Sequence, residues 1–388
     1  MAEAYIVEAF RTAGGRRNGR LSGIHPADLG ANILNALVEK TGIDPAVVED
    51  VIFGCVTQAG EQSNQIGRSA VLASKLPQSV PAVTIDRQCG SSQQAIHFAA
   101  QAVMAGTQDI VIAAGAESMS RVPMGFNLVA GSGQMPWPES IQKRFGVQMF
   151  SQFQGAEMIA KKWGFTREIC DAFGLDSHAR AIAATQSGAF AREIVPVAIT
   201  LPDGMPSVHD KDEGIRYDAT MESMAGVKLM MPDNGVLTAA SSSQITDGAS
   251  GVMVVSEAAL KAHNLTPLAR IVNLTVTAGD PVIMLEEPLY ATDRALKRAG
   301  MSINDIDLFE VNEAFASVPL AWLAHTKADP AKLNVNGGAI ALGHPLGASG
   351  SKLMATLVHS LRARGLKYGL QTMCEGGGIA NVTIIEAL

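Results

Sequence analysis

Hydrophobic and polar residues alternate in two patterns along the first part of the chain. Apolar residues spaced three and four positions apart from Leu29 to Val38 predict an amphipathic helix that ends at Gly42, whereas short unbroken apolar runs predict buried strands. The predicted helices are 24–41, 65–73 and 93–104, and the predicted strands are 51–56, 80–85 and 110–114. This alternation predicts an α/β fold, with a parallel or mixed sheet covered by helices on both faces.

The middle of the chain has a different character. Met, Pro, Gly and polar residues are frequent from about 119 to 248, and the helices predicted at 152–163 and 167–185 do not alternate with clear strands. We therefore expect an inserted loop domain at about 119–248. Regular strands are predicted again at 251–255 and 268–276.

The last part of the chain repeats the first in outline. Residues 307–311 resemble residues 50–54, and each copy continues with a strand, a glycine-bearing turn and a small-residue helix. The turn carries Cys89 in the first copy and His344 in the second, so a two-fold relation between the copies would bring these two residues together. The predicted halves are 1–265, which includes the insertion, and 266–388.

Composition limits the class of protein. Hydrophobic residues make up 47% of the 388 residues and charged residues 17%, which indicates a globular protein with a large core. The net charge of -7 argues against a nucleic-acid partner, because phosphate binding requires an excess of Lys and Arg. A basic cluster among glycines consists of Arg11, Arg16, Arg17 and Arg20, and we interpret it as a solvated or subunit-contact loop.

Nothing in the sequence predicts a membrane or secreted protein. No apolar run reaches the roughly 18 residues of a membrane span. The four cysteines are far apart and form no C-x-x-C pair, which is typical of a reducing compartment. The chain opens on a strand-like run at Tyr5 without a targeting segment. We therefore expect a cytoplasmic location.

Cys89 lies between the strand predicted at 80–85 and the helix that follows it. A thiol at a helix N-terminus faces free backbone N–H groups and the positive end of the helix dipole, which favours the nucleophilic thiolate. A small buried cysteine is the alternative for this position alone. Taken singly, His344, Asn312 and Cys374 are also compatible with a core or capping histidine, a turn residue and a buried thiol.

Four segments together resemble the active-site blocks of the thiolase family. The longest, 336–350, reads N-G-G-A-I-A-L-G-H-P-L-G-A-S-G, and its length makes it specific. The blocks follow the family's order and the match covers the whole chain. The other three blocks are Q-C-G-S-S at 88–92, N-E-A-F at 312–315 and C-E-G-G-G at 374–378.

The resemblance implies a thiolase fold. In this fold, two β-α-β-α-β-α-β-β halves form a five-layered α-β-α-β-α core, and a loop domain inserted in the first half covers the substrate. The resemblance also implies a homodimer or homotetramer. Coenzyme A would be a co-substrate of an acyl-CoA substrate, with no permanently bound cofactor and no metal.

The resemblance assigns a role to each residue of the expected site. Cleaving a carbon–carbon bond beside a thioester requires a nucleophile that holds the acyl group, a base that activates it and an acid that protonates carbon. By resemblance, Cys89 is the nucleophile, His344 is its base and an oxyanion donor, and Cys374 exchanges the proton with carbon. Asn312 holds a water of the first oxyanion hole, and the backbone N–H groups of Cys89 and Gly376 form the second.

The resemblance also implies contacts with coenzyme A. Arg216 and Ser223 match loop-domain positions near the nucleotide end, and Ser243 matches the serine near the pantetheine arm. An arginine suits a phosphate group, although Arg216 alone is also compatible with an ordinary surface charge. Nearby, Ala240 and Ser241 replace the glycine and asparagine that are common in the family.

Two segments bear on the substrate. Residues 151–153 read S-Q-F where short-chain biosynthetic thiolases carry H-M-G. Residues 55–64 more closely resemble the same segment of degradative 3-ketoacyl-CoA thiolases, including bacterial ones that act on steroid side chains. We therefore expect thiolytic cleavage of a 3-ketoacyl-CoA with a long or bulky acyl group, through an acyl-Cys89 intermediate.

Three alternatives stay open. The nearest is a biosynthetic acetoacetyl-CoA thiolase. A decarboxylating condensing enzyme would carry histidine or asparagine in place of Cys374, and a non-catalytic acyl-CoA or lipid-binding relative would have lost one of the four blocks.

Overall fold

The computed structural model describes residues 2–129, 135–233 and 235–388. Its first half alternates strands and helices, as the sequence predicts. The helix α1 shows why the boundaries fall where they do, since His25 caps its first turn, Pro26 begins it and Gly42 ends it with a φ of 67°. The elements are β1 (Ala4–Arg11), β2 (Gly15–Arg16), α1 (Pro26–Thr41), β3 (Asp50–Gly54), α2 (Ile66–Ala73), β4 (Ala82–Ile85), α3 (Ser91–Met104) and β5 (Ile110–Ser118).

Between β5 and the next long strand lies a segment of helices, the longest of which has 20 residues, and one hairpin. Arg11 ties this segment to the core, because its buried guanidinium lies 2.5 Å from Glu193 Oε1 and 2.8 Å from Asp212 Oδ1. The elements are α4 (Phe126–Val129), α5 (Glu139–Phe145), α6 (Gln152–Trp163), α7 (Arg167–Gln186), β6 (Val197–Thr200), β7 (Pro206–His209), α8 (Met221–Ala225), β8 (Thr246–Ser256) and α9 (Glu257–Ala262).

The second half repeats the alternation. Its elements are β9 (Ala269–Ala278), α10 (Glu287–Ala299), β10 (Leu308–Val311), α11 (Ser317–Thr326), α12 (Ala339–Leu342), α13 (Ser349–Arg364), β11 (Tyr368–Glu375) and β12 (Ile379–Ala387).

The order of strands in the main sheet shows the two-fold relation. From one edge to the other, the order is β10-β11-β12-β9-β1-β8-β5-β3-β4. The halves meet where β1 pairs antiparallel with β9, and from this junction β8-β5-β3 on one side corresponds to β12-β11-β10 on the other. The pairs β3–β5 and β10–β11 are both parallel. The second half lacks a full counterpart of β4, and the strand expected before His344 is reduced to a single bridge between Phe309 and Leu333.

The helices complete five layers. The helices α1 and α2 cover the outer face of the first half, α10 and α11 cover the outer face of the second, and α3 and α13 lie between the two parts of the sheet. The prediction of a five-layered thiolase fold is confirmed. The two central helices pack closely, because a Cβ at Gly350 would overlap the backbone of Gln93.

Two strands are longer than predicted. The strand β5 continues to Ser118 instead of 114, and β8 begins at Thr246 instead of 251. The additional residues include Glu117 and Asp247, which are fully buried and hydrogen-bonded. Hydropathy alone misses such positions, because buried polar residues that have partners look like loop residues in a sequence.

Candidate active site

Cys89 lies in a tight turn between β4 and α3. Asp86 Oδ1 accepts the Gln88 N–H at 2.6 Å, and the Ser91 hydroxyl donates to Gln88 O at 2.6 Å. Gln88 itself adopts a left-handed φ of 48°. These contacts place Cys89 just before Gly90, which caps α3, so the predicted position at the start of a helix is correct.

The protonation expected for Cys89 is wrong. Burial, followed by the charge of Glu375, raises the pKa of its thiol to about 12, while a backbone N–H acts in the opposite direction. Only 8% of the residue is exposed. The cost of desolvating a thiolate therefore outweighs the effect of the helix N-terminus, and the resting group is a neutral thiol.

His344 follows α12 and a sharp turn at Gly343. Its Nδ1 lies 2.5 Å from the Ser349 hydroxyl, which itself donates to Pro345 O at 2.9 Å. The serine oxygen must therefore accept the Nδ1–H, which leaves Nε2 as the nitrogen with a free lone pair. Burial, assisted by the charge of Lys352, lowers the pKa of His344 to about 3. The imidazole is neutral, and its Nε2 is able to accept a proton.

Lys352 and Glu117 hold the chain around His344, and sequence reasoning missed both. The Lys352 ammonium donates to Leu342 O and Gly343 O, each at 2.7 Å. Glu117 accepts N–H groups from Val56 and Gly347, each at 2.9 Å. Lys352 thus holds the chain before His344 from a helix of the same half, whereas Glu117 joins the chain after it to the first half.

Asn312 and Cys374 lie at the carboxyl ends of β10 and β11, which are adjacent and parallel. The Nδ2 of Asn312 lies 3.4 Å from Nε2 of His344. Its Oδ1 is buried and has no hydrogen-bond partner among the described residues. Cys374 is fully buried, and burial, followed by the proximity of the Cys89 sulfur, raises the pKa of its thiol well above the ordinary value.

The two cysteine-bearing turns pack against each other. Cys89 belongs to one small apolar cluster with Leu346 and Met373. A Cβ at Gly90 would overlap the carboxyl group of Glu375. A Cβ at Gly376 would lie 2.8 Å from Gln88 Oε1, and no acceptor among the described residues takes the Gly376 N–H. The absence of side chains at these two glycines therefore allows the close approach.

A cavity of about 600 Å³ opens onto His344. Ser243 and Arg216 line it, together with Gln152 and Phe153 of α6. A second cavity of about 350 Å³ contains Ser223 and shares Arg216, Ala239 and Gln244 with the first. The three residues predicted to contact coenzyme A thus line two adjoining cavities, whereas Cys89, Asn312 and Cys374 are buried and do not line them.

The interpretation of the basic cluster as a solvated loop is wrong for Arg11, which is fully buried, whereas Arg16, Arg17 and Arg20 are exposed. Arg16, Arg17 and Asn18 line the larger cavity together with His344. The clustering of positive charge was visible in the sequence, but the direction of these side chains was not.

The segment around Ser243 forms a capped turn despite its departures from the family pattern. The Thr238 side chain accepts the Ala240 N–H at 3.1 Å, and the Ser241 hydroxyl accepts the Thr238 N–H at 2.9 Å. Ser243 N–H donates to Ala314 O at 2.9 Å, which attaches the turn to the Asn312 block.

Comparisons with known proteins agree with this geometry. Residues 4–258 match the family model described as thiolase, N-terminal domain, and residues 265–387 match thiolase, C-terminal domain. The chain belongs to the thiolase family. The prediction of a thiolase, and therefore of an acyltransferase, is confirmed.

Individual relatives cover the chain almost completely. The steroid 3-ketoacyl-CoA thiolase FadA6 of Mycobacterium tuberculosis is 51% identical over 100% of this chain and 95% of its own length. An acetyl-CoA acetyltransferase of Cupriavidus necator is 40% identical over 100% of both chains. The crystal structure of human mitochondrial 3-ketoacyl-CoA thiolase has a TM-score of 0.90 at 37% identity, over 100% of this chain and 99% of that one. Within the described ranges, no helix is long and apolar enough to cross a membrane.

Proposed function

We propose that this thiolase degrades 3-ketoacyl-CoA esters, using coenzyme A to release acetyl-CoA and an acyl-CoA shortened by two carbons. The observation that carries the proposal is the orientation of His344, whose free Nε2 faces Asn312 beside the turn of Cys89. The neutral imidazole would then serve as the base for the neutral thiol of Cys89, the pairing that a nucleophilic cysteine requires.

In the first half-reaction, His344 Nε2 takes the proton of the Cys89 thiol, and the thiolate attacks the 3-keto carbon. The bond between the second and third carbons breaks, and its electron pair stays with the acetyl-CoA fragment. Cys374 donates its proton to that carbanion. Acetyl-CoA leaves, and the shortened acyl group remains on Cys89 as a thioester.

In the second half-reaction, the Cys374 thiolate takes the proton of incoming coenzyme A. The coenzyme A thiolate attacks the acyl group, the bond to Cys89 breaks, and the protonated His344 returns its proton to Cys89. All protons are thereby restored to their starting groups, and no redox partner is required.

Each half-reaction forms an oxyanion, and two sets of donors are proposed for them. The buried Oδ1 of Asn312 has no protein partner among the described residues, which supports its use in holding a water. Together with His344, this water would form one oxyanion hole. The unused N–H of Gly376 supports the second hole, with the Cys89 N–H as the other donor.

Coenzyme A is the co-substrate of this proposal. Ser223 and Arg216, which line the smaller cavity, would contact the nucleotide end of coenzyme A, and Ser243, which lines the larger one, would contact the pantetheine arm. The homo-oligomeric state and the cytoplasmic location stay predictions.

The walls of the larger cavity support a long or bulky acyl group. Met119, Met124 and Met230 line it, and unbranched methionines adapt to irregular ligand shapes. Met230 also borders a groove of about 510 Å³ that Met158 and Met231 line. An acyl tail that displaces the Met230 side chain would gain additional apolar surface there.

The test is a series of 3-ketoacyl-CoA esters that runs from acetoacetyl-CoA to medium-chain and polycyclic members. We expect kcat/KM for the larger esters to exceed that for acetoacetyl-CoA by about tenfold or more, from the 1 to 3 kcal/mol typical of a methylene in an apolar pocket. Met230→Phe should reduce this preference without changing acetoacetyl-CoA cleavage. If acetoacetyl-CoA is the best substrate, the biosynthetic alternative replaces the degradative one.

A further inference from the structure

The loop that follows β2 presents one exposed, unpaired cation to the larger cavity. Arg17 lines that cavity with His344, and its guanidinium has no hydrogen bond or ion pair with any residue in the described ranges. The neighbouring arginines differ from it. Arg16 pairs with Glu213 at 3.8 Å, and Arg20 donates to Ser207 Oγ at 2.7 Å.

The loop is held firmly on both sides. Glu213 Oε2 accepts the N–H groups of Arg16 at 3.2 Å and Arg20 at 3.0 Å. Asn18 donates its N–H to the Ser120 hydroxyl at 2.7 Å. Because the backbone on either side of Arg17 is fixed by these bonds, a ligand that meets its guanidinium does not have to order the loop first.

The cavity around Arg17 contains no opposing charge. None of the residues that line it is Asp or Glu, although the chain as a whole carries a net charge of -7. Besides the arginines, its polar lining consists of neutral groups such as Asn18 and Gln152. An unpaired guanidinium in such a place favours an anionic ligand with two oxygens, because its planar fork donates two parallel hydrogen bonds.

Two parts of an acyl-CoA could supply that anion, namely the phosphates of coenzyme A and an acidic end of the acyl chain. The phosphates lie at the far end of the pantetheine arm from the thioester. Arg216 borders both cavities and Ser223 only the smaller one, whereas Arg17 borders only the cavity that contains His344. The position of Arg17 therefore favours the acyl end.

We infer that Arg17 selects 3-ketoacyl-CoA substrates whose acyl chain ends in a carboxylate, that is, thioesters of dicarboxylic acids. This inference rests on the proposed function and specifies its substrate class. Met119 and Met124 would contact the apolar middle of such a chain, and Arg17 would pair with its charged end.

The experiment compares two 3-ketoacyl-CoA esters of equal length, one ending in a methyl group and one in a carboxylate. The variants are Arg17→Met and, as a matched control, Arg20→Met, which removes the same charge from the same loop but does not line the cavity. We expect Arg17→Met to lower kcat/KM for the carboxylate ester by at least about tenfold, the effect of one charge-assisted hydrogen bond, and to leave the methyl ester within about twofold. Arg20→Met should leave the ratio of the two esters unchanged.

A third arm uses N-acetylcysteamine thioesters of the same two acyl chains, which lack the phosphates. The selective loss in Arg17→Met should persist with them. If Arg17→Met lowers kcat/KM equally for both coenzyme A esters, and this loss vanishes with the cysteamine thioesters, Arg17 binds the phosphates and the inference is overturned. The inference is also overturned if Arg17→Met causes no loss with any of the substrates. Wild-type cleavage of the methyl ester tests the proposed function separately.

Discussion

The amide of Asn312 faces the imidazole of His344, with Nδ2 3.4 Å from Nε2. The Ser349 hydroxyl holds the proton of the histidine on its other nitrogen, so the lone pair that Cys89 would use lies on Nε2, beside the Asn312 amide but beyond the distance of a strong hydrogen bond. Asn312 thus borders the base while its own Oδ1 stays available for a water.

Loss of this amide should slow catalysis without unfolding the protein. We expect Asn312→Ala to lower kcat by about 10²-fold, the usual effect of removing one oxyanion-hole group, and His344→Ala to lower it at least as much. Asn336→Ala is the matched control, since this buried asparagine donates to Ser360 at 2.9 Å and accepts from Arg364 at 3.3 Å, and its loss should affect stability more than turnover. If Asn312→Ala or His344→Ala has a normal kcat, the substituted residue has a structural role and not a catalytic one.

The two cysteines should be separable by isotope exchange. Cys374→Ala should still form the acyl thioester at Cys89 but should lose deuterium exchange at the methyl group of acetyl-CoA, because Cys374 is assigned to proton transfer with carbon. The control is Cys170→Ala, which removes a buried thiol from α7 and should preserve exchange. Exchange at the wild-type rate in Cys374→Ala would assign the proton transfer to another group.

The pH dependence of Cys89 modification follows from its raised pKa. With a pKa of about 12, the thiolate fraction, and with it alkylation by iodoacetamide, should rise about tenfold per pH unit between roughly pH 7 and 10 without a plateau. Glu375→Gln should shift the alkaline part of the profile to lower pH, because the Glu375 carboxyl, whose own pKa burial raises well above the ordinary value, opposes a second negative charge once it is ionised. Site-resolved mass spectrometry gives the rates, and a plateau near neutrality in the wild type would contradict the neutral resting thiol.

Much of this site could be predicted from the sequence because its residues stand at the ends of strands. The carboxyl ends of parallel strands meet at one edge of a sheet, so Asn312 and Cys374 become neighbours once β10 and β11 are identified. The repeat between the halves likewise indicated that the turns of Cys89 and His344 meet.

The features of the site that the sequence did not predict depend on contacts between distant parts of the chain. Lys352 lies on a helix that is buried along most of its length, and nothing in its local sequence shows that it holds the carbonyls before His344. Burial also reversed the protonation expected for Cys89, because desolvation depends on the assembled core. The direction of Arg17 depends on bonds from its two neighbours to Glu213 and Ser120, about 200 and 100 positions away along the chain.

The buried ion pairs of Arg11 should matter for folding. Arg11→Leu leaves Glu193 and Asp212 buried without their cation, and we expect it to lower the free energy of unfolding by about 3 to 5 kcal/mol. Arg270→Leu is the matched control, because its partner Glu386 lies at a partly exposed site and the pair should contribute at most about 1 kcal/mol. Urea denaturation gives the free energy of unfolding of both variants. Equal losses would show that the buried Arg11 pairs contribute no more to stability than the partly exposed Arg270 pair.

The identity of the acylated residue tests the central claim most directly. The protein is mixed with an acyl-CoA in the absence of free coenzyme A, quenched in acid, digested and mapped by peptide mass spectrometry. We predict that the acyl group is found on Cys89 alone, with Cys55, Cys170 and Cys374 unmodified. Adding coenzyme A before the quench should remove the acyl group from Cys89. An acyl group on Cys374 with Cys89 free would contradict the assignment of the nucleophile.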